Sequence, residues 1–207
     1  MKFDPNGAIP DNGNYFGIPL KPEAAALVLI SAPWDTTVSQ RAGSSYAPDA
    51  IIEASRKVDF FEPMAPYSWR KGIATAPIDY SIQDLSHRLR SDADKIISLS
   101  HSDADYIFEN IMHTRRLRRI NEASMNINDK IYKQSKQWLE HGKIVGLVGG
   151  DHSTPLGFIK ALGEKLVAEI PEAMFENETE NFVRDFDNRL RSQGMDMNLY
   201  FKYTGMT

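Results

Sequence analysis

The sequence contains no cysteine. Disulfides, thiolate zinc sites and cysteine nucleophiles are therefore excluded together. It also has no apolar run long enough to span a bilayer, so no transmembrane helix and no membrane partner are expected. The opening Met1-Lys2-Phe3-Asp4-Pro5-Asn6 lacks the apolar core of a secretory signal, which points to the cytoplasm. Positive charge is not in excess: 24 Lys and Arg stand against 28 Asp and Glu, a net charge of −4. A nucleic-acid partner needs a basic surface, so none is expected. Internal repeats and low-complexity segments are missing as well. What is present is 207 residues, 42% hydrophobic and 25% charged, the usage of an ordinary globular chain.

Along the chain, residues 1–22 are rich in Gly, Pro, Asn and Asp and read as an irregular arm. Ala26-Leu27-Val28-Leu29-Ile30 is short and continuously apolar, the pattern of a buried parallel strand. Pro33-Trp34-Asp35-Thr36-Thr37 follows at its carboxyl end, where open α/β sheets place their chemistry. Trp34 suits a core, and Asp35 suits a pocket wall. A Ser/Gly/Arg loop over 38–47 leads to a short helix opened by Pro48. Residues 72–79 predict a second short strand. Ile82, Leu85, Leu89, Ala93, Ile96 and Ile97, and then Ile107, Ile111, Ile127, Ile131 and Leu139, recur at helical spacing. Asn126 and Asn128 are poor interior residues, so this stretch is expected to divide into two or three helices, the last stopped by Gly142. Lys143 to Val148 predict another strand. The fold class is therefore α/β: a parallel sheet with helices, then a helical carboxyl-terminal segment.

Gly149-Gly150-Asp151-His152-Ser153 follows that strand and precedes a helix beginning near Thr154 or Pro155. Two glycines permit tight backbone geometry beside the next side chain. A histidine in such a turn has two readings. It is a metal ligand, since neutral imidazole binds first-row metals well, or it caps the helix. Asp151 would then accept a hydrogen bond behind the ligand or orient the turn.

The Gly149–Ser153 run resembles the first metal-binding motif of the ureohydrolases: arginase, agmatinase, formimidoylglutamase and guanidine hydrolase. Ala32-Pro33-Trp34-Asp35, Arg41-Ala42-Gly43-Ser44 and Ala47-Pro48-Asp49-Ala50-Ile51 are similar to the family's early strand, glycine loop and helix. The resemblance covers roughly residues 15–162. Its helix-rich half with Trp34 looks closer to formimidoylglutamase and guanidine hydrolase than to arginase proper. It implies a three-layer α/β fold and two manganese ions, or nickel in some relatives. These share a hydroxide that attacks a linear guanidino or amidine substrate. On this reading His152 is one metal ligand. The family's later Asp-x-His-x-Asp and Asp-x-Asp motifs do not follow His152 in a strand context. Asp185 and Asp187 read as surface charges, and His101-Ser102-Asp103-Ala104-Asp105 reads as a helix start. One histidine does not hold two metals. Residues 1–162 are thus expected to be a truncated ureohydrolase-like unit with little hydrolase activity, weak metal binding and an open sheet edge prone to association.

The last 45 residues change character. Ile170-Pro171-Glu172-Ala173-Met174, Arg184-Asp185-Phe186-Asp187-Asn188-Arg189-Leu190, Gln193-Gly194-Met195 and Tyr203-Thr204-Gly205-Met206-Thr207 resemble the client-cradling carboxyl-terminal domain of trigger factor. Residues 163–207 are therefore expected to form a trigger-factor-like helical fragment joined near Leu162-Gly163-Glu164, making the chain a chimera. An amphipathic stripe of Met174, Phe175, Phe182 and Phe186 is expected, interrupted near Pro171, with a short helix over 196–203. Unfolded-protein clients are the partners this resemblance implies. Arg115, Arg116, Arg118 and Arg119 read as a solvated or internally paired face, and His87, His113 and His141 as surface residues.

Overall fold

The computed structural model describes residues 3–5, 7–39, 41–100, 111–165, 180–181, 183–188 and 191. The chain divides into two compact units, Met1–Leu166 and Val167–Thr207.

In the first unit, β1 (Leu27–Ser31), β2 (Ile73–Thr75) and β3 (Ile144–Val148) form a parallel sheet in the order β2-β1-β3. Leu27 lies in register with Ile73 on one side and Ile144 on the other. Parallel neighbours require crossover connections. Helix α1 (Ala47–Ser55) lies between β1 and β2; α2 (Tyr80–Ser100) and α3 (Ile111–Glu140) lie between β2 and β3. Helix α4 (Pro155–Lys165) follows β3. The arrangement is the expected α/β one.

The continuous apolar run forms the central strand. Val28 and Ile30 are buried with Val145, Trp138, Leu139 and Ala161, so α3 and α4 cover that face. A second cluster joins Trp34 to Ile82, Leu89 and Ala93 of α2 and to Ile120, Ala123, Ile127 and Ile131 of α3. Trp34 is thus core. Strand β3 is different: among the described residues no strand pairs with its outer edge, and Ile144 is 68% exposed.

The stretch holds two described helices, within the two or three expected, but neither ends at the asparagines: α3 runs unbroken through Asn126 and Asn128. Exposed Asn costs a helix only about 0.7 kcal/mol or less, well below the gain from burying Ile127 and Ile131. Asn128 also has a partner. Its Oδ1 accepts the Gly157 N–H at 2.9 Å, and its Nδ2 donates to the Ser124 carbonyl at 3.0 Å. Gly142 then ends α3 as expected. With φ +72° it lets its own N–H reach the Leu139 carbonyl and the Lys143 N–H reach the Trp138 carbonyl, a Schellman closure.

The amino-terminal arm is less irregular than its composition suggested. Tyr15 and Ile18 are buried. The Tyr15 hydroxyl bonds Ser31 Oγ at 2.8 Å, and the Tyr15 N–H donates to Thr75 Oγ1. A sequence of turn formers conceals these anchors because their partners lie in the sheet.

In the second unit, residues 183–188 are helical, and Asp187 pairs with Arg191 at 2.8 Å, one turn away. Asp185 and Val183 are exposed. Met174, Phe175 and Phe182, the interruption near Pro171, the helix over 196–203 and the helix start at His101–Asp105 lie outside the described residues.

Helices α3 and α4 meet through a glycine. A Cβ on Gly157 would stand 2.0 Å from the Asn128 carbonyl oxygen, whereas one on Gly163, two turns along, meets nothing within 4 Å. Lys136 and the Tyr132 hydroxyl both donate to Glu164 across the same seam, at 2.8 and 2.7 Å. This pairing pushes the Lys136 ammonium up and the Glu164 carboxyl down from their ordinary values. Gly157→Ala is expected to destabilise the chain by about 1–3 kcal/mol through overpacking. Gly163→Ala is expected to stabilise it by about 0.5–1 kcal/mol. Urea denaturation of both variants checks the pair; equal effects would contradict the close approach.

Candidate functional site

The strand ends of β1 and β3 are joined by backbone. The Ala32 N–H donates to the Val148 carbonyl at 2.9 Å and the Asp151 N–H to the Trp34 carbonyl at 2.8 Å. Gly149 and Gly150 both have φ +86°. A Cβ at Gly149 would meet the Pro48 ring at 2.8 Å; one at Gly150 would meet Thr154 at 2.7 Å and the Ala32 carbonyl at 2.8 Å. Only glycine satisfies both the dihedral and the space. The chain therefore delivers Asp151, His152 and Ser153 to the carboxyl ends of the parallel strands, the customary position of ligand sites in such sheets.

Asp151 is buried and orients this turn. Its Oδ2 accepts the Thr37 N–H at 2.9 Å and the Thr37 hydroxyl; its Oδ1 accepts the Ser153 N–H at 2.9 Å and the Ser153 hydroxyl at 2.6 Å. A carboxylate has about four acceptor positions, and all are used. His152 is exposed beside it. It borders a cavity of about 320 Å³ lined by Thr37, Val38, Ser39, Arg41, Asp151 and Ser153. It also borders a larger hollow of about 730 Å³ between α3 and α4, which Met125, Tyr132 and Lys160 help to line.

The loop supplying Thr37 and Arg41 hangs on Asp35. This residue lines neither cavity at His152; it is buried. Its Oδ2 accepts the Gly43 N–H at 2.7 Å and the Ser45 N–H at 3.3 Å, and its Oδ1 accepts the Ser86 hydroxyl at 2.9 Å. The Ser86 oxygen in turn accepts the Asp35 N–H at 3.0 Å. Arg90, one turn further along α2, donates to the Val38 carbonyl at 2.7 Å and the Thr36 carbonyl at 3.1 Å, and pairs with Asp94 at 2.7 Å. Burial raises the Asp35 carboxyl, but the hydrogen bonds from Gly43, Ser86 and Ser45 outweigh it and hold the group below its ordinary value.

Sequence reasoning missed Thr37, Ser86 and Arg90 as supports of this site. Ser86 sits inside the apolar stripe of α2, between Ile82 and Leu89, and a serine in that register was the available signal. The other candidates are separate. Arg116 and Arg119 close on Asp92 at 3.3 and 2.9 Å, the internal pairing expected of that cluster. His87 stacks against Tyr46, and His141 Nδ1 meets the Gln137 carbonyl. Among the described residues no group of three or more His, Asp or Glu is arranged to hold a metal ion. With Asp151 committed to Thr37 and Ser153, the donors among the described residues do not fit a two-metal centre.

A carboxyl depressed in the folded state contributes stability above its unfolded value, near pH 3.9, that is lost as pH falls through the folded one. Asp35→Asn is expected to cost about 1–3 kcal/mol at neutral pH and distinctly less near pH 3. Urea melts at both pH values check this; an equal cost at both would contradict it.

Comparison with known proteins agrees with this arrangement in two parts. The family model described as the arginase family matches residues 25–174, and that of the bacterial trigger factor carboxyl terminus matches residues 156–207. Trigger factor of Exiguobacterium sibiricum is 43% identical over 49 residues, 24% of this chain and 11% of the relative. That of Shouchella clausii is 28% identical over 79 residues, 38% of this chain and 18% of the relative. That of Clostridium botulinum strain Hall is 44% identical over 46 residues, 22% of this chain and 11% of the relative. The chain thus spans well under a quarter of the length of these curated relatives. No solved structure matches it. No described helix is long and apolar enough to cross a membrane. The glycine-supported turn, the strand order that presents it and the match over residues 25–174 converge on one statement: this chain belongs to the arginase family.

Proposed function

We propose that residues 149–153 are the first metal-binding turn of a ureohydrolase-type site for linear amidine or guanidino compounds, and that this chain alone does not complete that site. The observation that carries the reading is the division of labour in the turn. Asp151 is consumed by four hydrogen bonds, and His152 is left exposed above the strand ends. His152 is the last histidine of the sequence, and no Asp-x-His-x-Asp run follows it. Manganese or nickel would meet a single imidazole here, too few donors for a hard dication pair. The Trp34-bearing, helix-rich first half supports the formimidoylglutamase, agmatinase or guanidine-hydrolase type. No hydrolytic step follows from the residues present.

Calorimetric titration with Mn(II) and Ni(II), with assays for urea, formamide and ammonia, tests this. The expected result is at most one weak site, lost in His152→Ala, and no product from guanidino or amidine compounds. Two tight sites, or turnover, would overturn it.

A second reading rests on the trigger factor match. Residues 156–207 would act as a non-enzymatic client-binding fragment, with Phe182 of the apolar stripe expected from the sequence meeting unfolded chains. The two family matches overlap over 156–174, and the boundary proposed at 162/163 lies inside that overlap. The full chain should slow aggregation of a chemically denatured client, and Phe182→Asp should remove most of that effect. No suppression by the unmodified chain would sink the reading.

A further inference from the structure

We propose that the ring-lined hollow between the amino-terminal arm and the 59–70 loop is a binding site for a small organic cation of the guanidinium or methylated-ammonium type, and that Arg70 occupies it in the ligand's absence. The hollow has a volume of about 670 Å³ and shares no residue with either cavity at His152. Phe3, Phe60 and Trp69 build its floor: Phe3 meets Phe60 edge-on at 5.6 Å and Trp69 at 5.8 Å. Phe61 and Tyr67 line the same hollow and are 68% and 63% exposed. Rings of that size left open are not accounted for by core packing.

The side chain already there shows what the rings accept. The Arg70 guanidinium carbon lies 4.3 Å from the Tyr67 ring centre and 5.5 Å from the Trp69 ring centre, within cation–π range. Among the described residues Arg70 makes no ion pair, so aromatic faces rather than a carboxylate hold it. Asp4 and Asp59 stand in the wall. Asp59 Oδ1 takes the Phe61 N–H at 2.8 Å, fixing the loop that carries Phe61. Asp59 adds a carboxylate to a hollow whose rings already favour cations. That balance disfavours an anion and suits a compact monocation. The volume exceeds what one guanidinium fills and falls in the small-molecule range.

Choline and its neutral isostere 3,3-dimethyl-1-butanol are the probes, added to the full chain and followed by proton NMR. Choline methyl signals should move upfield in a saturable way, while those of the isostere should not. Arg70→Ala should tighten choline by about three- to five-fold, the equivalent of one exposed cation–π contact removed from competition. Trp69→Ala should abolish the shift, and His152→Ala should leave it unchanged. Absence of a saturable shift, an equal response to the neutral isostere, or weaker binding by Arg70→Ala would each overturn the proposal. Arg70 is exposed, so its variant keeps the test valid if Trp69→Ala fails to fold.

Discussion

Asp35 leaves the end of β1 as a charge facing inward, and its two oxygens take hydrogen bonds from Gly43, Ser45 and Ser86. A buried carboxylate tolerates its surroundings only when its lone pairs are met. That requirement fixes three things at once. It ties α2 to the strand end, sets the course of the loop that returns to α1, and holds Thr37 where Asp151 can receive it. Arg90 adds a cation against the carbonyls of the same loop. Loss of this arrangement would free the loop, and the turn after β3 would lose its counterpart.

Asp151 repeats the same physics one strand over. Both carboxylates are spent on backbone and hydroxyl donors from their own neighbourhood. They are scaffolding that presents His152. The chemistry such a turn serves in a full ureohydrolase needs donors from further strands, and the open edge of β3 is where the described sheet stops.

Much of this was readable from local pattern. A continuous apolar run specifies a buried parallel strand whatever surrounds it, and Gly149-Gly150 between strand and helix announces positive φ. Gly142 announced a helix stop. Contacts that join residues distant in sequence were not readable. Asn128 looked like a helix breaker because its compensation, the Gly157 N–H, lies 29 residues away. Ser86 looked like an ordinary polar residue because Asp35 lies 51 residues away. Tyr15 was hidden in a turn-rich arm because its hydroxyl partner is in β1. In each case propensity described the chain segment, while the partner determined its role.

The contact at Gly157 bears on how two families come to share one helix. Residue 157 lies inside the stretch matched by both. Its backbone rests on the Asn128 carbonyl with no room for a methyl group. A recombination that exchanged this helix for a foreign one would have to supply glycine at that register, whatever else it brought. Further along α4 the space opens at Gly163, while Ala161 and Glu164 still meet the rest of the unit. Whichever family supplies α4, its first turn is held to glycine where it crosses α3.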